Sequence, residues 1–196
     1  MKLMLMVVLN IVLLVIAPAS KSEINYGFYK FSLATGKSSD GFSTANGYQF
    51  QRSFAESGDN AIVVSVANIE VEDTLFGDNA TNSFISAGFL YHPEADENID
   101  FNLDLYLTYE RIIEDSFDGT DSSDTALGYS LGIRSKLNSV SEFSVNVEES
   151  NISGEDSSPL LILGLAYSFD QNNAFQFEYS DDDFPVYAMS YIYYLK

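Results

Sequence analysis

The chain carries a single histidine, His92, with Pro93 directly after it. Hydrolytic chemistry based on histidine needs a nucleophile within hydrogen-bond reach of that base. No serine in the sequence is marked as a partner for His92, and cysteine is absent. His92 therefore reads as a turn residue, and the chain as one that is not an enzyme. The other chemistry-bearing residues are acids gathered in clusters: Glu114, Asp115, Asp118, Asp121 and Asp124, then Glu155 and Asp156, then Asp181, Asp182 and Asp183. Hard cations take several such oxygens at once. The segment Asp115, Asp118, Asp121 and Asp124 is a loose Asp/Gly run suited to weak divalent bridging, without the spacing of an EF-hand. The plainer reading is a solvated acidic surface that repels anions. No residue set marks a firm metal centre, and no cofactor is expected.

Composition narrows the classes further. The chain has 196 residues, of which 29 are acidic and nine are Lys or Arg, a formal net charge of −20. Nucleic-acid binding needs clustered cations, so no nucleic-acid partner is expected. Without cysteine there are no disulfides, thiolate zinc sites or Cys-anchored lipids. An aromatic content of 14% is too much apolar surface for a disordered chain to leave in water.

The positioning elements begin with an address. Met1 and Lys2 precede a nearly unbroken apolar run, Leu3 to Ile16, and Ala17-Pro18-Ala19 supplies the small residues that signal peptidase requires. Residues 1–19 are expected to be a cleaved signal peptide, leaving 20–196 as one exported domain. No later stretch has the length and hydrophobicity of a membrane helix.

From there the sequence alternates with period two. Leu161, Leu163, Leu165, Tyr167 and Phe169 share one parity; so do Leu127, Tyr129, Leu131 and Ile133, and so do Phe101, Leu103, Leu105, Leu107 and Tyr109. Phe143, Val145 and Val147, then Phe175, Phe177 and Tyr179, then Tyr187, Met189, Tyr191 and Tyr193 repeat the pattern. Successive strand side chains point to opposite faces, so each segment is a two-faced strand. Tyr26 to Leu33, Tyr48 to Phe54, Ile62 to Val71 and Phe84 to Tyr91 read as further strands of unassigned parity, with a bulge expected at Val63-Val64. The count is about ten strands, or eight if two segments are wrongly split.

Short connections (55–60, 93–98, 138–142, 170–173) alternate with mostly longer ones rich in Ser, Asp and Gly (35–46, 73–80, 114–125, 150–159) and a fifth, 181–184, that is short but triply acidic. An up-and-down meander places the two kinds at opposite ends, which is the asymmetry of outer-membrane barrels. The polar parity is rich in Gly, Ala, Ser and Asn, which suits a crowded wet lumen, and the apolar parity is uniformly bulky. The expected fold is thus all-β: an antiparallel up-and-down transmembrane β-barrel with apolar side chains facing lipid.

On these grounds, and on the aromatic last strand Tyr187 to Leu195, the mature chain resembles the small OmpA/OmpX-like outer-membrane barrels of Gram-negative bacteria. With no Trp, any interfacial girdle is left to Tyr and Phe. The resemblance implies residence in the bacterial outer membrane among lipid and lipopolysaccharide, insertion by the barrel-assembly machinery, and a monomer.

The polar parity gives the expected lumen network: Asp100, Asp104, Glu110, Glu148 and Glu178, with Arg134 and Lys136 as counter-charges. Buried charges persist when paired or hydrated, so Arg134 is expected near Asp104 or Glu110. The functional expectation is a structural or surface-interaction barrel with acidic outer loops. The alternatives are a narrow cation-preferring pore and a soluble periplasmic ligand-binding barrel.

Overall fold

In lipid every backbone N–H and C=O must find a partner within the protein, so strands that face hydrocarbon are stable only in a closed sheet. The computed structural model describes residues 27–38, 41–57, 59–73, 79–96, 99–114, 121–152, 159–181 and 185–195, and it has this closure. The signal segment lies outside the described residues.

The strands are β1 (Phe28–Lys37), β2 (Ser43–Ser57), β3 (Asn60–Asp73), β4 (Asn79–Tyr91), the short β5 (Glu94–Asp96), β6 (Ile99–Glu114), β7 (Asp121–Lys136), β8 (Ser141–Ile152), β9 (Leu160–Ser168), β10 (Asn173–Asp181) and β11 (Val186–Tyr194). Sequential neighbours pair antiparallel throughout, while β5 is a fragment on the edge of β6 and β4 pairs directly with β6. The seam closes where β1 pairs with β11, from Phe28 opposite Tyr194 to Gly36 opposite Val186. The result is a closed barrel of ten strands, the larger of the two expected counts.

The side chains sort as the alternation requires. All ten barrel strands expose large apolar residues on the outside: Leu127 is 67% exposed, Tyr187 60%, Phe177 56% and Leu131 51%. Soluble monomers rarely present contiguous apolar patches beyond a few hundred Å². This wall is a surface for hydrocarbon, the reverse of a soluble barrel. Tyrosines flank it on both sides. Tyr109, Tyr129, Tyr179 and Tyr187 lie toward the long connections, while Tyr29, Tyr91, Tyr167, Tyr191 and Tyr193 lie toward the short ones, so Tyr forms the girdles in place of Trp.

Two expectations are corrected. The register through Val63 and Val64 is continuous, and the irregularity falls at Ala55/Ser57 instead. Val63 turns inward and Val64 outward, and the pair is apolar on both faces because Val63 packs with Ala61 and Leu90 at the end of the lumen. The second correction concerns the long connections. Much of 35–46 and 114–125 is strand, with β2 starting at Ser43 and β7 at Asp121. These extensions run beyond the apolar wall, where both faces are polar, so hydropathy carries no period there although the backbone still pairs.

The short turns are fastened by side chains. Asn138 Oδ1 accepts from the backbone N–H groups of Val140 and Ser141 at 2.9 Å. Asp170 accepts from the Asn172 N–H and the Asn173 amide, which holds its carboxyl below the usual range. At the seam, Leu195 donates its N–H to Gly27 O at 2.8 Å.

Candidate functional site

Closure puts the polar parity of all ten strands into one lumen. Asp100, Glu110 and Lys136 are buried there, and Asp104, Arg134, Glu148 and Glu178 are partly covered. All seven expected lumen residues therefore face inward. They do not form one network, because the strand register spreads them along the barrel axis.

Near the long-connection end, Glu110 lies opposite Asp124. In the middle, Tyr106 on β6 reaches across β7 and donates its hydroxyl to Glu148 Oε1 on β8 at 2.6 Å. The ring passes directly over Gly128, where an added Cβ would lie 2.5 Å from the Tyr106 hydroxyl oxygen and closer still to the ring carbons. Four residues along β6 and β7 toward the short-turn end, Asn102 donates its amide to Asn146 Oδ1 at 2.9 Å across Gly132. The glycines of β7 are therefore low points over which side chains from both neighbours meet. Asp104, opposite Ser130, has its Oδ1 buried without a hydrogen-bond partner. On the far wall Lys30 Nζ pairs with Glu178 Oε2 at 2.6 Å, over the small residues of β11.

The expected partner of Arg134 is overturned. Asp100 is the β6 residue opposite Arg134, while Asp104 lies four residues, roughly 13 Å, further along the strand. Arg134 turns instead to β8 and donates Nε to Glu142 Oε2 at 2.9 Å. It also donates Nη2 to the Tyr194 hydroxyl at 3.0 Å. Arg134 is on β7 and Tyr194 on β11, with β8, β9 and β10 between them in a ten-strand ring, so this bond crosses the lumen. Phe28 meets the Tyr194 ring edge-on at 6.5 Å. Together with Ala61, Val63, Leu90 and Ile192 they gather side chains at the short-turn end of the lumen. Beside them is a cavity of about 390 Å³, whose lining includes Gln49, Asp104, Glu148, Gln176 and Glu178.

Lys30, Tyr106, Glu142 and Tyr194 are lumen residues that the sequence reading did not single out. Lys30 was hidden by the unassigned parity of β1, and Glu142 by its place at the edge of an expected turn. Tyr194 was masked by the aromatic Tyr193 directly before it.

His92 is buried in the turn after β4, and its N–H donates to Asp59 O at 2.8 Å. Burial lowers its pKa; the nearby Asp59 opposes this and Arg134 adds to it. The folded barrel thus prefers neutral His92, a stabilisation present above the unfolded pKa and lost as pH falls below it. Urea midpoints of the vesicle-inserted barrel should drop between about pH 7.5 and pH 5.5, the range where imidazole titrates. His92→Asn should flatten that slope, and an unchanged slope would assign it to other groups.

The acidic clusters are only partly described: Asp115, Asp118, Glu155, Asp156, Asp182 and Asp183 lie outside the described residues. Asp121 faces outward and accepts from Arg111 Nη2 at 2.6 Å, which holds its carboxyl low, whereas Asp124 faces inward. β7 thus sends these two acids to opposite faces. Among the described residues no group of His, Asp and Glu could hold a metal ion.

No protein-family model and no curated protein matches this sequence. Solved structures do. The β domain of the Bordetella autotransporter BrkA aligns with a TM-score of 0.52 at 12% identity, covering 85% of this chain and 98% of that one. Neisserial surface protein A aligns with a TM-score of 0.45 at 13% identity, covering 88% and 100%. Ail, the attachment invasion locus protein of Yersinia pestis, gives 0.40 at 16% identity, covering 88% and 99%. With a lipid-facing apolar wall, a polar lumen and the likeness to the BrkA β domain, the chain has the fold of the Gram-negative outer-membrane β-barrels.

Proposed function

We propose that the protein is an integral outer-membrane barrel with a structural and surface-interaction role, its lumen closed to free ion flow at the short-turn end. The observation that carries this reading is the hydrogen bond from Arg134 to Tyr194 across the lumen, at 3.0 Å, with Glu142 on the same guanidinium. Small barrels have lumens that side chains nearly fill, and here charged and aromatic groups lie across the remaining path. Interaction belongs to the other end. Glu70, Glu72, Glu149 and Asp181 lie on the outer strand extensions with Asp121. Such a surface would meet phosphorylated glycolipid such as lipopolysaccharide through shared divalent cations. The apolar wall continues around every strand, which supports a lipid-surrounded monomer. The aromatic last strand supports insertion by the barrel-assembly machinery.

A narrow cation-preferring pore is the second reading. It is favoured by the cavity, which Asp104, Glu142, Glu148 and Glu178 line against only Lys30 and Arg134. Planar-bilayer recording of the refolded barrel separates the two. The closed reading expects an electrically silent membrane, and regular cation-selective steps would replace it with the pore. Retention in membranes after carbonate washing tests the integral placement itself.

A further inference from the structure

The lipid-facing wall carries one arginine among apolar residues. On β2 the outward parity runs Tyr48, Phe50, Arg52, Phe54, and Arg52 is opposite Tyr29 on β1 and Val64 on β3. Phe50, Phe54, Ile62 and Val64 around it are all exposed to the barrel's surroundings. The guanidinium carbon lies 4.8 Å from the Tyr29 ring centroid and 4.0 Å from that of Phe54. Phe54 is two residues nearer the short turn, so the side chain leans along the strand toward that end. Its Nε is buried with no hydrogen-bond partner. The other two arginines hold carboxylates, Arg111 to Asp121 and Arg134 to Glu142, whereas no carboxylate pairs with Arg52 among the described residues.

We propose that Arg52, clasped by Tyr29 and Phe54, is a binding site on the barrel's outer wall for the phosphodiester of a phospholipid in the leaflet at the short-turn end. The occupant follows from the surroundings. A charge on a lipid-facing wall meets only lipid, and in the girdle at this end the lipid groups of opposite sign are phosphates. A guanidinium presents a planar fork of donors that matches two phosphate oxygens. The two rings fix that fork in place and shield its inner face, leaving the Nη groups to the headgroup. The acyl chains of the same molecule would lie on Phe50, Val64 and Val66, which continue the wall toward the bilayer centre.

The inference rests on the membrane placement above, and the experiment reports on the two separately. The refolded barrel is first checked for heat-modifiable migration, which fails if the membrane fold is wrong. It is then mixed in detergent with dioleoyl phosphatidylglycerol, or with dioleoylglycerol, which has the same chains without phosphate, and released for native mass spectrometry. The expected result is a retained phosphatidylglycerol adduct, no dioleoylglycerol adduct and none with free glycerophosphate. Arg52→Gln and Arg52→Met should lower adduct occupancy about tenfold, Arg52→Lys should retain part of it, and Arg111→Gln should leave it unchanged. Equal retention by Arg52→Gln, equal retention of dioleoylglycerol, or no adduct on the wild-type barrel would each overturn the site. If the variants fail to refold, the comparison of the two lipids on wild-type protein still decides.

Discussion

Gly128→Val will destabilise the barrel by about 2–3 kcal/mol, and Tyr106→Ala in the same chain will remove most of that cost. The sign is the informative part. Valine is a better strand residue than glycine, so at an unconstrained strand position the substitution would be neutral or stabilising. At Gly128 the ring of Tyr106 occupies the space any side chain would take, with its hydroxyl oxygen 2.5 Å from an added Cβ. The ring cannot simply swing aside. Its hydroxyl is committed to Glu148 at 2.6 Å. Displacing it would strip the donor from a lumen carboxylate, which adds an unmet acceptor to the steric cost. Urea unfolding of vesicle-inserted protein measures both terms in a double-mutant cycle. In the Tyr106→Ala background Gly128→Val should cost less than about 1 kcal/mol. An equal cost in both backgrounds would mean that the glycine serves the backbone rather than the ring.

The same pair shows what could be read in the sequence and what could not. Alternation assigned Tyr106 and Gly128 to the inward parity, because period two is a local property that survives without coordinates. That one rule also supplied the lipid-facing wall and the direction of all seven expected lumen charges. Pairing is a different matter. Tyr106 reaches Glu148 over an intervening strand, and Lys30 reaches Glu178 in the same way, so each contact depends on two registers at once. Arg134 illustrates the cost of guessing a register. A choice of Asp104 rather than Asp100 is a slip of four residues, which keeps the face and changes the partner. Beyond the apolar wall even parity fades: Asp121 to Thr125 is strand, yet it reads as loop because neither face is hydrophobic.

Arg134→Ala should turn an electrically silent barrel into one with discrete, cation-selective conductance steps. The guanidinium is the middle member of a three-residue bar, joined by Nε to Glu142 at 2.9 Å and by Nη2 to the Tyr194 hydroxyl at 3.0 Å. Removing it opens a gap between near-opposite walls and takes from Glu142 the guanidinium it pairs with. Ions of positive sign are then favoured by the fixed charge. The Arg134 and Glu142 side chains are only 17% and 13% exposed, so breaking their pair should also lower stability, by about 2–4 kcal/mol. Arg134→Ala with Glu142→Ala should recover part of that stability while conducting with weaker selectivity, because the stranded carboxylate is gone and the gap is not. Tyr194→Phe separates bulk from bonding. It keeps the ring that Phe28 braces and takes away only the acceptor, so it should conduct less than Arg134→Ala. Reversal potentials in a KCl gradient give the selectivity and urea midpoints the stability. An Arg134→Ala barrel that stays silent would move the barrier from the polar bar to the apolar side chains of Phe28, Val63, Leu90 and Ile192 around it.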